Sequence, residues 1–169
     1  MPPAAATWFE PSKRIGTWKL ITPIERDLAA PLWAAHDDTR VAYVRHFRVR
    51  SLKAGVRLDK VISWASGYEH ANILPIFGVM DVEGGAGVAV ISHYEEGQPL
   101  ASVLQKEHLT RNRMPTPVAV AITLDLLEAL HATGGRLAPA WSHGGLRPES
   151  ILVTRGGRAR IMELGATSV

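Results

Sequence analysis

Apolar and polar residues alternate along Thr17 to Ile24 (TWKLITPI), the period of a strand with one face buried, with Pro23 near its end. Leu32 to His36 reads as a second short strand and Arg40 to Val49 (RVAYVRHFRV) as a third, joined by a turn at Asp37, Asp38 and Thr39. The period then changes. Leu58, Val61, Ile62, Ala65 and Tyr68 recur at helical spacing, which predicts an amphipathic helix over 54–66, ended by Gly67. Ile73 to Val82 and Gly87 to Tyr94 are two further strands about the turn EGGAG. A short helix follows Pro99, and a long one runs from about Thr116, with Pro117 in its first turn, to Thr133. Ser150 to Thr154 and Arg158 to Met162 bracket Gly156-Gly157, a two-residue hairpin signal.

Strands and helices do not alternate as a doubly wound parallel sheet requires. The pattern predicts an α+β fold: a small antiparallel sheet carrying one helix, then a mainly helical layer closed by a hairpin. Residues 1–14, with three prolines and a run of alanines, read as a flexible lead-in. No internal repeat is present.

Composition narrows the class. Hydrophobic residues are 46% and charged residues 21% of the 169, which fits a globular protein. Cysteine is absent, so disulfides and thiolate chemistry are excluded. The N-terminus lacks a basic start followed by an apolar core, and no apolar run reaches the roughly 18 residues of a membrane helix. A cytoplasmic location is the expectation. The net charge is only +3. One basic stretch, Arg45, Arg48, Arg50, Lys53, Arg57 and Lys60, is not interleaved with aromatics as a stacking platform needs, so it reads as a solvated strand end and helix face rather than a nucleic-acid platform.

HGGLRPESILV, from His143, resembles the catalytic loop of protein kinases, in which H-R-D-L is followed by Asn four residues after Leu. IMELG then falls where the strand leading into D-F-G belongs. Upstream, EHANILPIFGV resembles the entry to the family's fourth strand, VAVISHYEEGQPL its fifth strand and hinge, and WKLITPIERDLAAPLWAAHD its first two strands. The five pieces come in order over most of Thr17 to Gly165. The resemblance implies a five-stranded antiparallel N-lobe with one helix over 15–97. It also implies a partial C-lobe over 98–169 carrying the first helices and the hairpin.

Kinase catalysis is mostly positioning and charge stabilisation, so each position can be tested. The turn that should be glycine-rich, Glu25 to Pro31, has no glycine, and Pro31 has no N–H to offer a phosphate. Glu25 and Asp27 place negative charge beside a triphosphate; at ~4 Å and an effective dielectric near ~20 one such pair costs about 4 kcal/mol. The lysine of the family's third strand falls on Arg45, or on Val44 if the register slips by one; the former reads as a surface or structural arginine. The helix glutamate falls near Val61. The catalytic aspartate becomes Gly145, the magnesium asparagine Ser150 and the D-F-G aspartate Glu163, while Arg147 stands at the phosphate-contacting lysine. His143 reads as a loop-holding residue.

These replacements imply a non-enzyme: a pseudokinase-type module for protein–protein contact, with no catalytic residue, metal or resident cofactor. As an alternative, Arg45, Ser92, Tyr94, Arg147 and Glu163 hold ATP weakly as a regulatory switch; an unorthodox active kinase comes third. The long helix is apolar on more than one face, so Leu126, Leu127 and Leu130 are the interface candidates, for a protein partner or a second copy. A piece of a longer protein, a short chain with a covered face, and a differently folded second half all stay open.

Overall fold

The computed structural model describes residues 12–25, 30–47, 66–82, 87–134 and 146–163. All but the last residue of the helix expected over 54–66, the basic residues from Arg48 to Lys60, and His143 and Gly145 lie outside them.

Six strands form one antiparallel sheet: β1 (Arg14–Ile15), β2 (Trp18–Glu25), β3 (Leu32–His36), β4 (Val41–Phe47), β5 (Ile76–Val82) and β6 (Gly87–His93). Their spatial order is β1-β2-β3-β4-β6-β5. Five were expected. The sixth, β1, is two residues long and folds back on β2 through Gly16, whose φ of 57° suits a glycine. β6 lies between β4 and β5, and all but its last residue are buried. Its alternation serves two cores at once. Ala89 and Ile91 pack with Leu20, Trp33, Ala42 and Val44, whereas Val88 and Val90 pack with Ile73, Ile76, Ala129 and Ile161.

A second antiparallel sheet has the order β7-β8-β9, from Gly97–Pro99, Ile151–Thr154 and Ala159–Ile161. The β8–β9 connection, Arg155 to Arg158, is two residues longer than the two-residue signal suggested. Gly157 in it has φ 80°, and the Thr154 amide closes the loop by donating to the Arg158 carbonyl at 2.9 Å.

Two helices, α1 (Leu100–Thr110) and α2 (Thr116–Gly134), pack beside this sheet. On α2, Ile122, Leu126, Ala129 and Leu130 face the cores, and Asp125 Oδ2 accepts a hydrogen bond from the Ala159 amide at 2.7 Å. The two sheets meet at Ile73, which forms a parallel bridge with Ile161. There the Ile161 amide donates to Asn72 O at 2.8 Å and the Leu74 amide to Ile161 O at 2.9 Å. This junction sets the second sheet against the face of β4 that carries Tyr43 and Arg45. Among the described residues no helix is long and apolar enough to cross a membrane.

Candidate functional site at the junction of the sheets

Register decides which side chains of β4 face the second sheet. Val44 is opposite Trp33 and Ile91 and belongs to the outer core. Tyr43 and Arg45, on the other face, point toward the second sheet. Of the two residues considered, Arg45 is therefore the one that faces the second sheet, and Val44 is not.

Arg45 is not a surface residue, which corrects that part of the sequence reading. It is 2% exposed, and four groups take its guanidinium. Nε donates to Glu163 Oε1 at 2.5 Å, and Nη1 donates to Glu25 Oε2 at 3.1 Å and to the Ala30 carbonyl at 2.9 Å. Nη2 donates to the Glu149 carbonyl at 2.9 Å. The end of the second sheet, the turn at Pro148–Ser150 and the end of β2 thus converge on one cation. Satisfaction of this kind is what a buried charge requires.

Burial opposes the charge on Arg45, but Glu163 and then Glu25 outweigh it and hold the guanidinium above its ordinary value. Burial pushes the Glu163 carboxyl above the ordinary range, with Arg45 and more distantly Arg147 pulling it back. Glu163 is also held at φ 53°, a left-handed backbone that costs a non-glycine residue about 1–3 kcal/mol and persists only where surrounding contacts fix it. Glu25, expected to repel a phosphate, is instead engaged by Arg45.

The other candidates fall into two groups. Ser150 is buried, and its Oγ is committed to the Arg147 amide and carbonyl, closing the 3-10 turn Pro148–Ser150. Arg147 is exposed. Ser92 is buried opposite Tyr43 in the β4–β6 ladder, and the Tyr94 ring lies 5.0 Å from that of Tyr43. Gly145 cannot be placed, being outside the described residues.

Sequence reasoning missed Tyr43, Glu25 as an arginine partner, and the Ala30 and Glu149 carbonyls. A signal for Tyr43 existed, since it lies two residues before Arg45 on the same strand face. The interface candidates also need correction. Leu126 and Leu130 pack into the cores, and Leu127 alone of the three is exposed; it shares a face with Val120 and Leu124, at 55%, 51% and 55% exposure respectively.

This arrangement defines a protein-kinase-like fold, N-lobe plus part of the C-lobe. Comparisons with known proteins agree. A variant of the Mycobacterium tuberculosis PknI kinase domain superposes with a TM-score of 0.79 over 95% of this chain and 64% of that one, at 12% identity. The PknI kinase domain itself gives 0.77 over 95% and 62%, also at 12% identity. At such identity the likeness is one of fold. The chain is also 32% identical over 99 residues to serine/threonine-protein kinase PksC of Streptomyces coelicolor, a match spanning 56% of this chain and 17% of PksC. No family model matches.

The reading of the chain as a non-enzyme is thereby corrected. The proteins it resembles are named kinases, which points to a kinase rather than a non-enzyme. Reasoning from replaced positions failed because it counted losses one residue at a time. Arg45 and Glu163, which the sequence resemblance set against a lysine and an aspartate, carry opposite charges and meet in a buried pair.

Proposed function

We propose that the chain is a kinase-type signalling module whose interlobe cleft is held closed, in this state, by its own side chains, and that it works through contact with a protein partner. The observation that carries this reading is the buried Arg45–Glu163 pair with Glu25 alongside. A nucleotide phosphate would have to take Arg45 from two carboxylates, and a metal ion would have to take Glu163 from Arg45. The exposed stripe Val120, Leu124 and Leu127 on α2 supports contact with a protein partner or a second copy. The reading needs no resident cofactor or metal.

Phosphoryl transfer is the second reading, favoured by the names of the relatives and by the carboxylate kept at Glu163. Calorimetric titration of the protein with ATP, with and without magnesium, separates the two. No heat at millimolar nucleotide is the result expected of a closed cleft. Saturable, magnesium-dependent binding, with phosphate transfer that disappears in Glu163→Gln, would replace the first reading by the second.

A further inference from the structure

The connection between α1 and α2 borders a surface cavity of about 650 Å³. Ligand sites run from about 300 to 1,000 Å³, so the space is of the right size. Its wall combines Leu104 and Met114 with Glu107, His108, Arg111 and Arg113. Met114 is half-buried and packs with Ile122, Ile151 and Ala159, which anchors the apolar side of the cavity in the core.

The cations are placed unusually. Where α1 ends, Arg111 takes the left-handed conformation at φ 57°, its amide donating to the His108 carbonyl. Glycine is the ordinary residue at such a helix end, because a Cβ disfavours that backbone. Glu107 stands four residues before Arg111, a spacing that pairs acid and base along a helix. No such pair forms, because Arg111 has left the helical path. Among the described residues neither Arg111 nor Arg113 makes an ion pair or a side-chain hydrogen bond, whereas the exposed Arg40 and Arg155 each find a carboxylate. Fold stability alone accounts neither for arginine at a glycine position nor for two unpaired guanidinium groups on one cavity wall.

We propose that this cavity is a docking site for an acidic peptide segment of a partner protein. An apolar side chain of that segment sits against Leu104 and Met114, and carboxylates flanking it are taken by Arg111 and Arg113. Guanidinium groups suit the task, since they hold carboxylates with two parallel hydrogen bonds. Glu107 opposes any anion in the cavity, which gives the proposal a test of opposite sign. It rests on the reading of the chain as a module that works through a protein partner, and it gives that partner a chemistry. The site uses no residue of the Arg45 network or of the Val120, Leu124 and Leu127 stripe. ATP binding would therefore defeat the closed-cleft reading alone, and a failure of the peptide measurement would defeat this one alone.

The probe is the capped pentapeptide Glu-Glu-Phe-Glu-Glu, titrated by calorimetry at low salt. Its controls are Glu-Glu-Gly-Glu-Glu and Lys-Lys-Phe-Lys-Lys. Saturable binding with a Kd on the order of 100 µM or tighter is expected of the first. The glycine peptide should bind about tenfold more weakly, the worth of one buried apolar side chain, and the lysine peptide not at all. Arg111→Gly should keep or raise the Tm, since glycine suits the backbone there, while weakening binding about five- to tenfold. Arg113→Gln should weaken it by a similar factor, and Glu107→Gln should tighten it about two- to fivefold. Arg14→Gln makes the same charge change on exposed β1 and should leave affinity within about twofold. Absent binding to wild type, equal affinity for the phenylalanine and glycine peptides, or equal losses in Arg14→Gln and Arg111→Gly would overturn the proposal. So would a fall of Tm and binding together in Arg111→Gly with Arg113→Gln unaffected. Binding to phosphatidylglycerol vesicles without affinity for the peptide would overturn it in favour of a lipid surface.

Discussion

Replacing Arg45 by methionine keeps the aliphatic volume of the side chain while removing the cation on which Glu163, Glu25 and the Ala30 and Glu149 carbonyls converge. The Arg45 and Glu163 side chains are each 3% exposed and that of Glu25 is 12% exposed, so water screens the pair little and cannot easily solvate what is left. Removing one partner of such a pair costs about 3–5 kcal/mol, because the other charge stays buried without compensation. For a chain of this size that corresponds to a fall in Tm of about 6–20 °C. Urea unfolding gives the free energy directly, read as a shift of midpoint at constant slope. The double variant Arg45→Met/Glu163→Leu removes the stranded carboxylate as well. It should be more stable than Arg45→Met alone, since an apolar replacement of a whole buried pair is often neutral or better. The cycle isolates the coupling between the two residues. An Arg45→Met cost below about 1 kcal/mol, or a double variant whose cost is the sum of the singles, would refute the argument that this pair holds the cleft.

Three further outcomes follow from other parts of the chain. Asp37 accepts from the Thr39 amide and hydroxyl and from the Arg40 amide, with the Thr39 amide the main cause of a pKa lowered to about 2. A depressed carboxylate stabilises the fold above its unfolded pKa and loses that contribution as pH falls toward 2, so Asp37→Asn should flatten the acid limb of a stability–pH curve between about pH 4 and 2. Leu126→Asp should lower stability by several kcal/mol through burial of an unpaired charge, whereas Leu127→Asp should change it by no more than about 0.5 kcal/mol and weaken concentration-dependent self-association in sedimentation. Gly87 holds φ 138°, and a Cβ there would run into the Phe47 carbonyl, so Gly87→Ala should cost more than about 1 kcal/mol in urea unfolding.

The sheet was legible because its signals are local. Alternation in Thr17 to Ile24 and the buried run of β6 each announce a strand within one window, and Gly16, Gly87 and Gly157 sit where the backbone turns. The kinase-like order of five pieces carried the rest of the topology. What the sequence did not carry was orientation around α2. Leu126, Leu127 and Leu130 are one apolar group by composition, yet successive residues on a helix are 100° apart, and only contact with Ile161 and Ile151 tells which faces inward. The site was half legible for a related reason. Arg45 and Glu163 were identified as positions, but 118 residues separate them, and nothing local says that they choose each other over a nucleotide.

That choice is the physical core of the matter. Lysine and aspartate at these positions would be shorter, and arginine and glutamate lengthen both arms across the same gap. Guanidinium geometry then allows Arg45 to hold Glu163, Glu25 and two carbonyls together, which a lysine ammonium with three donors on a flexible stem would do less completely. A ligand can open the cleft only by its differential affinity for the open state. It must therefore exceed what the network supplies. An anion alone recovers Arg45 but strands Glu163, and a cation alone does the reverse. A ligand that brings both charges, such as a metal-bound phosphate, leaves neither buried group uncompensated. Were nucleotide to open the cleft, as the phosphoryl-transfer reading has it, metal and nucleotide would be needed together, and in titrations each alone would fall short of the pair by more than additivity allows.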